Sequence, residues 1–171
     1  ESAALISMMC GLDALGYNAW VTGDYKRSKT LFDEGLAIAR RQHNDLYTSQ
    51  FLIGLARVIQ DLHDISDKEQ FYEAGLEEQR RIGDYVGLTV FLYRYAFFLL
   101  HHGDLNKAQK LARESLDLAR ELDMWREYQE ILDCNGMIAF KLGEYERAKV
   151  LLQEALARNE EKGMAYLRAY I

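Results

Sequence analysis

The chain has 171 residues, 49% of them hydrophobic and 28% charged, with a formal net charge of -6 and no proline. An acidic balance without clustered Lys and Arg argues against gripping the phosphate backbone of nucleic acid. No stretch reaches the roughly 18 uninterrupted apolar residues of a membrane span, since Arg94 interrupts the most apolar run, 90–100. Abundant Leu, Ala, Glu, Arg and Lys without proline favour helices over strands.

Apolar residues recur at spacings of three and four, the signature of helices with one buried stripe. In chain order the spacing predicts helices over 4–22, 24–41, 45–62, 65–81, 84–102, 104–121, 124–142 and 144–161. Turn signals separate them. Gly23-Asp24-Tyr25, Gly103-Asp104-Leu105 and Gly143-Glu144-Tyr145 place an acidic residue at a helix start, and His63-Asp64-Ile65 is the copy that lacks the glycine. The connections His43-Asn44-Asp45, Gly83-Asp84 and Lys162-Gly163 are short, so consecutive helices should be antiparallel neighbours. The stretch 164–171 reads as the opening of a further helix or as a cap.

The helices come in pairs with a period of forty residues. Leu31-Phe32-Asp33-Glu34-Gly35-Leu36 recurs around Gly75, Ser115 and Ala155, and Leu12, Leu52, Leu92 and Leu132 are each followed four residues later by Gly16, Ala56, Ala96 or Gly136. Units of about 4–43, 44–83, 84–123 and 124–163 follow within one repeat domain, 1–171. The small residues are expected to face one another, letting helices approach with no bulky side chain between them. The leucines, with Leu36, Leu76, Leu116 and Leu156, are expected to form a ladder of core residues. The second unit is irregular: Lys68 stands where the others carry Ser28, Ala108 and Ala148, and Ser66-Asp67 suggests a late helix start.

A helical pair with a small residue late in the first helix, a Gly-Asp-Tyr turn, then Ser28, Ala108 or Ala148 and the leucine pair down the second helix resembles the tetratricopeptide repeat. The resemblance covers the whole chain and is strongest over 23–39, 103–119 and 143–156. It implies a right-handed α-α superhelix, or solenoid, of four hairpins plus a partial terminal helix. Two features depart from the family: a unit of forty rather than about 34 residues, and no proline closing the second helix. Forty-residue units of this kind are similar to the sensor arrays of large bacterial ATP-dependent transcription regulators. A chain that begins at Glu1 without a signal-like region is expected to be a segment of such a protein.

In the tetratricopeptide fold the first helices line the concave surface. Helical spacing then names an inward stripe of Asp13, Tyr17, Trp20, Ile53, Arg57, Gln60, Tyr93, Phe97, Asp133, Met137 and Phe140, together with Leu100, and bordered by Arg94. Aromatic and apolar residues dominate it, so it is either a groove for a partner or ordinary inter-repeat core. Arg57 and Arg94 as cations, with Asp13 and Asp133 towards the two ends, suit a peptide or helix bearing apolar anchors and an acidic group. Trp20 and Phe97 are the aromatics expected to be partly exposed. Charges such as Lys26, Arg27, Glu77, Glu78, Lys107, Glu146 and Arg147 read as a solvated outer face.

Little points to catalysis. There is no glycine-rich phosphate loop, no cofactor or metal is implied, and His43, His63, His101 and His102 lack partners at metal-ligand spacing. Cys10 and Cys134 lie in apolar stretches and are expected to be buried free thiols, as in a reducing cytoplasm. Cys134 with His63 or His101 makes a poor nucleophile and base, because nothing near the thiol lowers its pKa. The adjacent pairs Glu77-Glu78 and Glu160-Glu161 have no shielded pocket in which to act as acid and base. The expected role is a binding module for a protein, a peptide or a small effector, without direct contact to nucleic acid or membrane. The alternative is a structural spacer or homo-oligomerisation array with no separate ligand.

Overall fold

A computed structural model describes the backbone of residues 2–62 and 67–169, and side chains over 3–62 and 67–158. Among the described residues the elements are α-helices: α1 Ser2–Val21, α2 Tyr25–Arg41, α3 Asp45–Asp61, α4 Lys68–Ile82, α5 Tyr85–His102, α6 Leu105–Glu121, α7 Tyr128–Lys141 and α8 Tyr145–Ala169.

The forty-residue period is written into the turns. Within hairpins Gly23, Gly103 and Gly143 have positive φ, and between hairpins His43, Gly83 and Asp123 do. That left-handed conformation ends a helix and is costly for most residues other than Gly, Asn and Asp. Asp24, Asn44, Asp84 and Asp104 then accept hydrogen bonds from the backbone N–H three residues on, at Arg27, Tyr47, Gly87 and Lys107. Each satisfies an orphan donor of the first turn. Glu144 behaves differently, accepting from Gln109 Nε2 at 2.6 Å and Arg147 Nη1 at 2.7 Å.

Three boundaries differ from the sequence expectation. Where Asn44 and Asp84 cap the earlier first helices, Met124 stands at the corresponding position, and α7 starts only at Tyr128. A side chain that cannot accept a hydrogen bond gives the first turn no cap. In the second hairpin α4 begins at Lys68, while the His63-Asp64-Ile65 turn and Ser66 lie outside the described residues. No break occurs at Lys162-Gly163, because α8 runs on to Ala169. A lone glycine costs a helix only about 1 kcal/mol and does not by itself end one. The side chains of 159–169, and residues 170–171, lie outside the description.

The chain forms two compact units, Glu1–Phe91 and Leu92–Ile171. In the first, α2 packs on α1 and on α3, and α3 packs on α4. Phe32, Phe51, Leu52, Leu55, Tyr72 and Phe91 fill its core. In the second, α7 packs on α6 and α8 around Leu92, Ala112, Leu116, Ile131, Leu132 and Ile138.

Small residues do not face small residues, as the sequence suggested. A Cβ added to Gly16 or Gly54 would fall within 3 Å of the Phe32 ring, one added to Gly35 would overlap the Phe51 ring, and one at Gly75 would overlap Phe91. Gly136 receives Leu152 in the same way. Each glycine is a hole filled by a large side chain of a neighbouring helix, which is how close-packed helices keep native density. Ala56 follows the pattern: the buried Tyr72 hydroxyl donates to its carbonyl at 2.8 Å.

The leucine ladder is also shorter than expected. Leu12, Leu36, Leu52, Leu76, Leu92, Leu116 and Leu132 are buried, but Leu156 is 59% exposed. Its three counterparts are covered by the first helix of a following hairpin, and no described helix stands there for α8. Lys68, the odd residue of the second hairpin, is nonetheless buried, with its ammonium donating to the carbonyl of Leu62. Ser28 at the equivalent place donates to the Gly16 carbonyl at 2.7 Å.

Candidate functional site

The first unit gathers its six stripe residues on two adjacent helices. Asp13, Tyr17 and Trp20 are carried by α1 at spacings of four and three, and Ile53, Arg57 and Gln60 by α3 with the same spacings, so both sets face one gap. The Arg57 guanidinium lies 4.9 Å from the Trp20 ring centroid and 5.6 Å from that of Tyr17. The two rings are 5.7 Å apart. Guanidinium over an indole face is a favourable arrangement that helps fix the cation.

Trp20 is held from the other side, its Nε1–H donating to Asp61 Oδ2 at 2.7 Å. A pocket of about 200 Å³ opens beside this cluster, lined by Asp13, Tyr17, Ile53 and Arg57 with Gln50, Gly54 and Phe32. Tyr17 is exposed, while Asp13, Trp20, Ile53, Arg57 and Gln60 are half-buried. Burial pushes the Asp13 carboxyl above its ordinary range, and the positive charge of Arg57 opposes that rise. Thus four of the residues named from sequence line one cavity.

In the second unit the stripe is less open. Tyr93 is buried, and Arg94 is half-buried with its guanidinium 5.0 Å from the Tyr93 ring. Phe97 is half-buried and packs edge-on to His101 at 4.7 Å. Leu100 is buried. Asp133 and Met137 are half-buried, and the Asp133 carboxyl is raised first by burial and then by Glu130. Phe140 is exposed, its ring 5.6 Å from Tyr145.

Sequence reasoning missed Gln50 and Asp61. Both lie on α3 at the margins of the stripe, and a window one position wider in each direction would have reached Asp61. It also missed a hollow of about 400 Å³ on the other side of the first unit, where Leu36, Leu52, Leu55 and Gly75 are overhung by Asp33 and Arg40. Nor is the outer face simply solvated: Arg40 forks onto Glu78, and Lys107 lies 5.0 Å from the Tyr95 ring.

The two thiols part company. Cys134 is buried, its S–H directed at the Tyr93 carbonyl, and burial pushes its pKa up to about 12, far from a nucleophile's range. Cys10 is exposed, contrary to expectation; it lies on the same stripe of α1 as Asp13 and Tyr17, with its Sγ 2.6 Å from Tyr47 Oη of α3. Among the described residues no three His, Cys, Asp or Glu side chains cluster as metal ligands would, and no helix is long and apolar enough to cross a membrane.

Helical hairpins repeating every forty residues, with holes and large side chains exchanged between successive helices, define an all-α helical-repeat protein of the solenoid-like class. Residues 132–162 match the tetratricopeptide repeat, and the chain is tetratricopeptide-like. Among solved structures it is similar to BtubC (BKLC) from P. vanneervenii, at a TM-score of 0.73, covering 91% of this chain and 64% of that one at 13% identity. At that identity the likeness is one of fold. The chain therefore spans somewhat less than two thirds of that neighbour's length. None of the curated proteins matches it. Tetratricopeptide repeats are generally protein–protein interaction modules.

Proposed function

We propose that the chain is a binding module of a larger, cytoplasmic regulatory protein and that it holds a protein or peptide segment against its first-helix surface. The observation that carries this reading is the pocket of Asp13, Tyr17, Ile53 and Arg57 beside the Tyr17, Trp20 and Arg57 stack. Rigid aromatic walls, a positioned guanidinium and a half-buried carboxylate are the ingredients of an interaction hot spot. A segment with an apolar side chain for the pocket and an acidic group for Arg57 fits. The regulatory setting is supported by the likeness of the forty-residue units to regulator sensor arrays.

Selection of peptides from a random display library against the intact chain, followed by calorimetric titration, tests the proposal. Arg57→Gln and Tyr17→Ala are each expected to weaken the selected peptides by tenfold or more. Unchanged affinity in both variants would move the site elsewhere.

Asp13 supplies a second check. A carboxyl with a raised pKa in the folded state holds its proton to higher pH than the unfolded chain does. The associated stability is complete below the unfolded carboxyl's pKa and is lost as pH rises through the folded one. Asp13→Asn removes that loss, so the variant is expected to melt at a higher temperature than the parent at pH 7, with the difference closing in acid. Differential scanning calorimetry at several pH values reads it. A variant less stable at pH 7 would make Asp13 a structural partner of Arg57 rather than a group kept for contact.

A further inference from the structure

The hollow walled by α2 and α4 departs from the repeat at the positions that line it. To its wall α4 contributes Asp67, Phe71 and Ala74. At the corresponding places the other second helices carry Arg27, Lys107 and Arg147 for Asp67, and Glu34, Glu114 and Glu154 for Ala74. One hairpin thus exchanges a cation for a carboxylate and a long side chain for a methyl group.

The second unit shows what the usual residues do at that crossing. Two periods on from Arg40 and Ala74, Arg120 of α6 donates to Glu154 of α8 at 3.2 Å, and the Tyr128 hydroxyl of α7 donates to the same carboxylate at 2.8 Å. Ala74 offers Arg40 no such acceptor, and the guanidinium forks instead through Nε and Nη2 onto Glu78, one turn further along α4. The place of the Glu154 side chain is thereby left open in the first unit, above a floor of Leu36, Leu52 and Leu55. The rim charge is inverted as well. Where the first unit has Asp33 and Asp67, the second has Arg113 and Arg147, which reach Glu144 at 3.5 and 2.7 Å.

We propose that this hollow binds a small organic cation with an apolar body, its ring or branched chain on the leucine floor and its ammonium at Asp33 and Asp67. The volume, about 400 Å³, suits such a molecule, since small-molecule sites run from roughly 300 to 1,000 Å³ and combine apolar walls with a few polar groups. The rim selects the sign of the charge. The Arg40 cation is matched by the bidentate fork to Glu78. Asp33 is held by Lys29 of its own helix at 2.6 Å, a solvent-screened pair that a competing cation displaces readily. The Asp67 side chain makes no capping bond to α4. Half-buried Phe71 adds an aromatic wall against which a ring or an ammonium is favourably placed. The hollow shares no lining residue with the Asp13 and Tyr17 pocket, so its occupant is independent of the segment proposed to bind there.

Matched probes of opposite charge test this. Naphthylethylamine and naphthylpropanoate, similar in size and apolar surface, are titrated calorimetrically into the intact chain. The amine is expected to bind at least tenfold more tightly than the acid. Ala74→Glu, which restores the residue of the other hairpins at an exposed position, should abolish amine binding. The double variant Asp33→Asn, Asp67→Asn should weaken the amine at least tenfold and erase its preference over the acid, and Asn caps a helix as well as Asp does. Melting followed by circular dichroism checks that both variants are folded. Equal or tighter binding of the acid, no binding of the amine, or unchanged amine affinity in either variant overturns the proposal. So does loss of amine binding in Tyr17→Ala, since the amine would then occupy the other pocket.

Discussion

Phe51→Ala is expected to lower the stability of the first unit by about 3–5 kcal/mol, the range for a fully buried aromatic cut to a methyl group. The ring is wholly buried, overlies Gly35, and has its centroid 6.4 Å from that of Phe32 and 6.2 Å from that of Tyr47. Neither helix can collapse into the hole without moving the Gly16 and Gly54 contacts of Phe32. The reverse change, Gly35→Leu, drives four heavy atoms into occupied space and should cost about 1–3 kcal/mol or more. Urea unfolding followed by Trp20 fluorescence in a Trp125→Phe background reads the first unit alone, since repeat arrays need not unfold in one step. A loss below about 1 kcal/mol in Phe51→Ala would mean that ring and hole do not hold α2 to α3.

Leu132→Ala should cost about 2–5 kcal/mol, and Leu156→Ala no more than about 0.5 kcal/mol. Both are ladder leucines by sequence, Leu132 in a first helix and Leu156 in a second, yet Leu132 is wholly buried and Leu156 largely exposed. Measured side by side by urea unfolding and far-ultraviolet circular dichroism, they separate pattern from burial. Comparable losses would show that α8 is covered in solution by something packed on Leu156.

Much of the fold can be read from spacing. A three-and-four pattern interrupted at fixed intervals places most helix ends within a few residues, because left-handed turn positions and capping side chains are local chemistry. Where the chemistry lapses, at Met124, the boundary shifts, and the missing cap explains why. The candidate site was legible in part: the one- and five-residue offsets from Leu12 and Leu52 land on the pocket of the first unit. The same offsets from Leu92 land on Tyr93, which is buried. Periodicity assigns a side chain to a helix face but not the depth of cover over that face, and Gln50 and Asp61 escaped because a stripe has soft edges.

The sequence alone determined that this is a chain of paired helices with a forty-residue repeat, because helix periodicity and turn chemistry act over a few residues and need no distant partner. Tertiary packing decided which small residues are holes, which leucine of the ladder faces solvent and which stripe residues share a cavity. Those outcomes depend on the size of side chains contributed by other helices, and the pattern within one helix carries no record of what stands across from it.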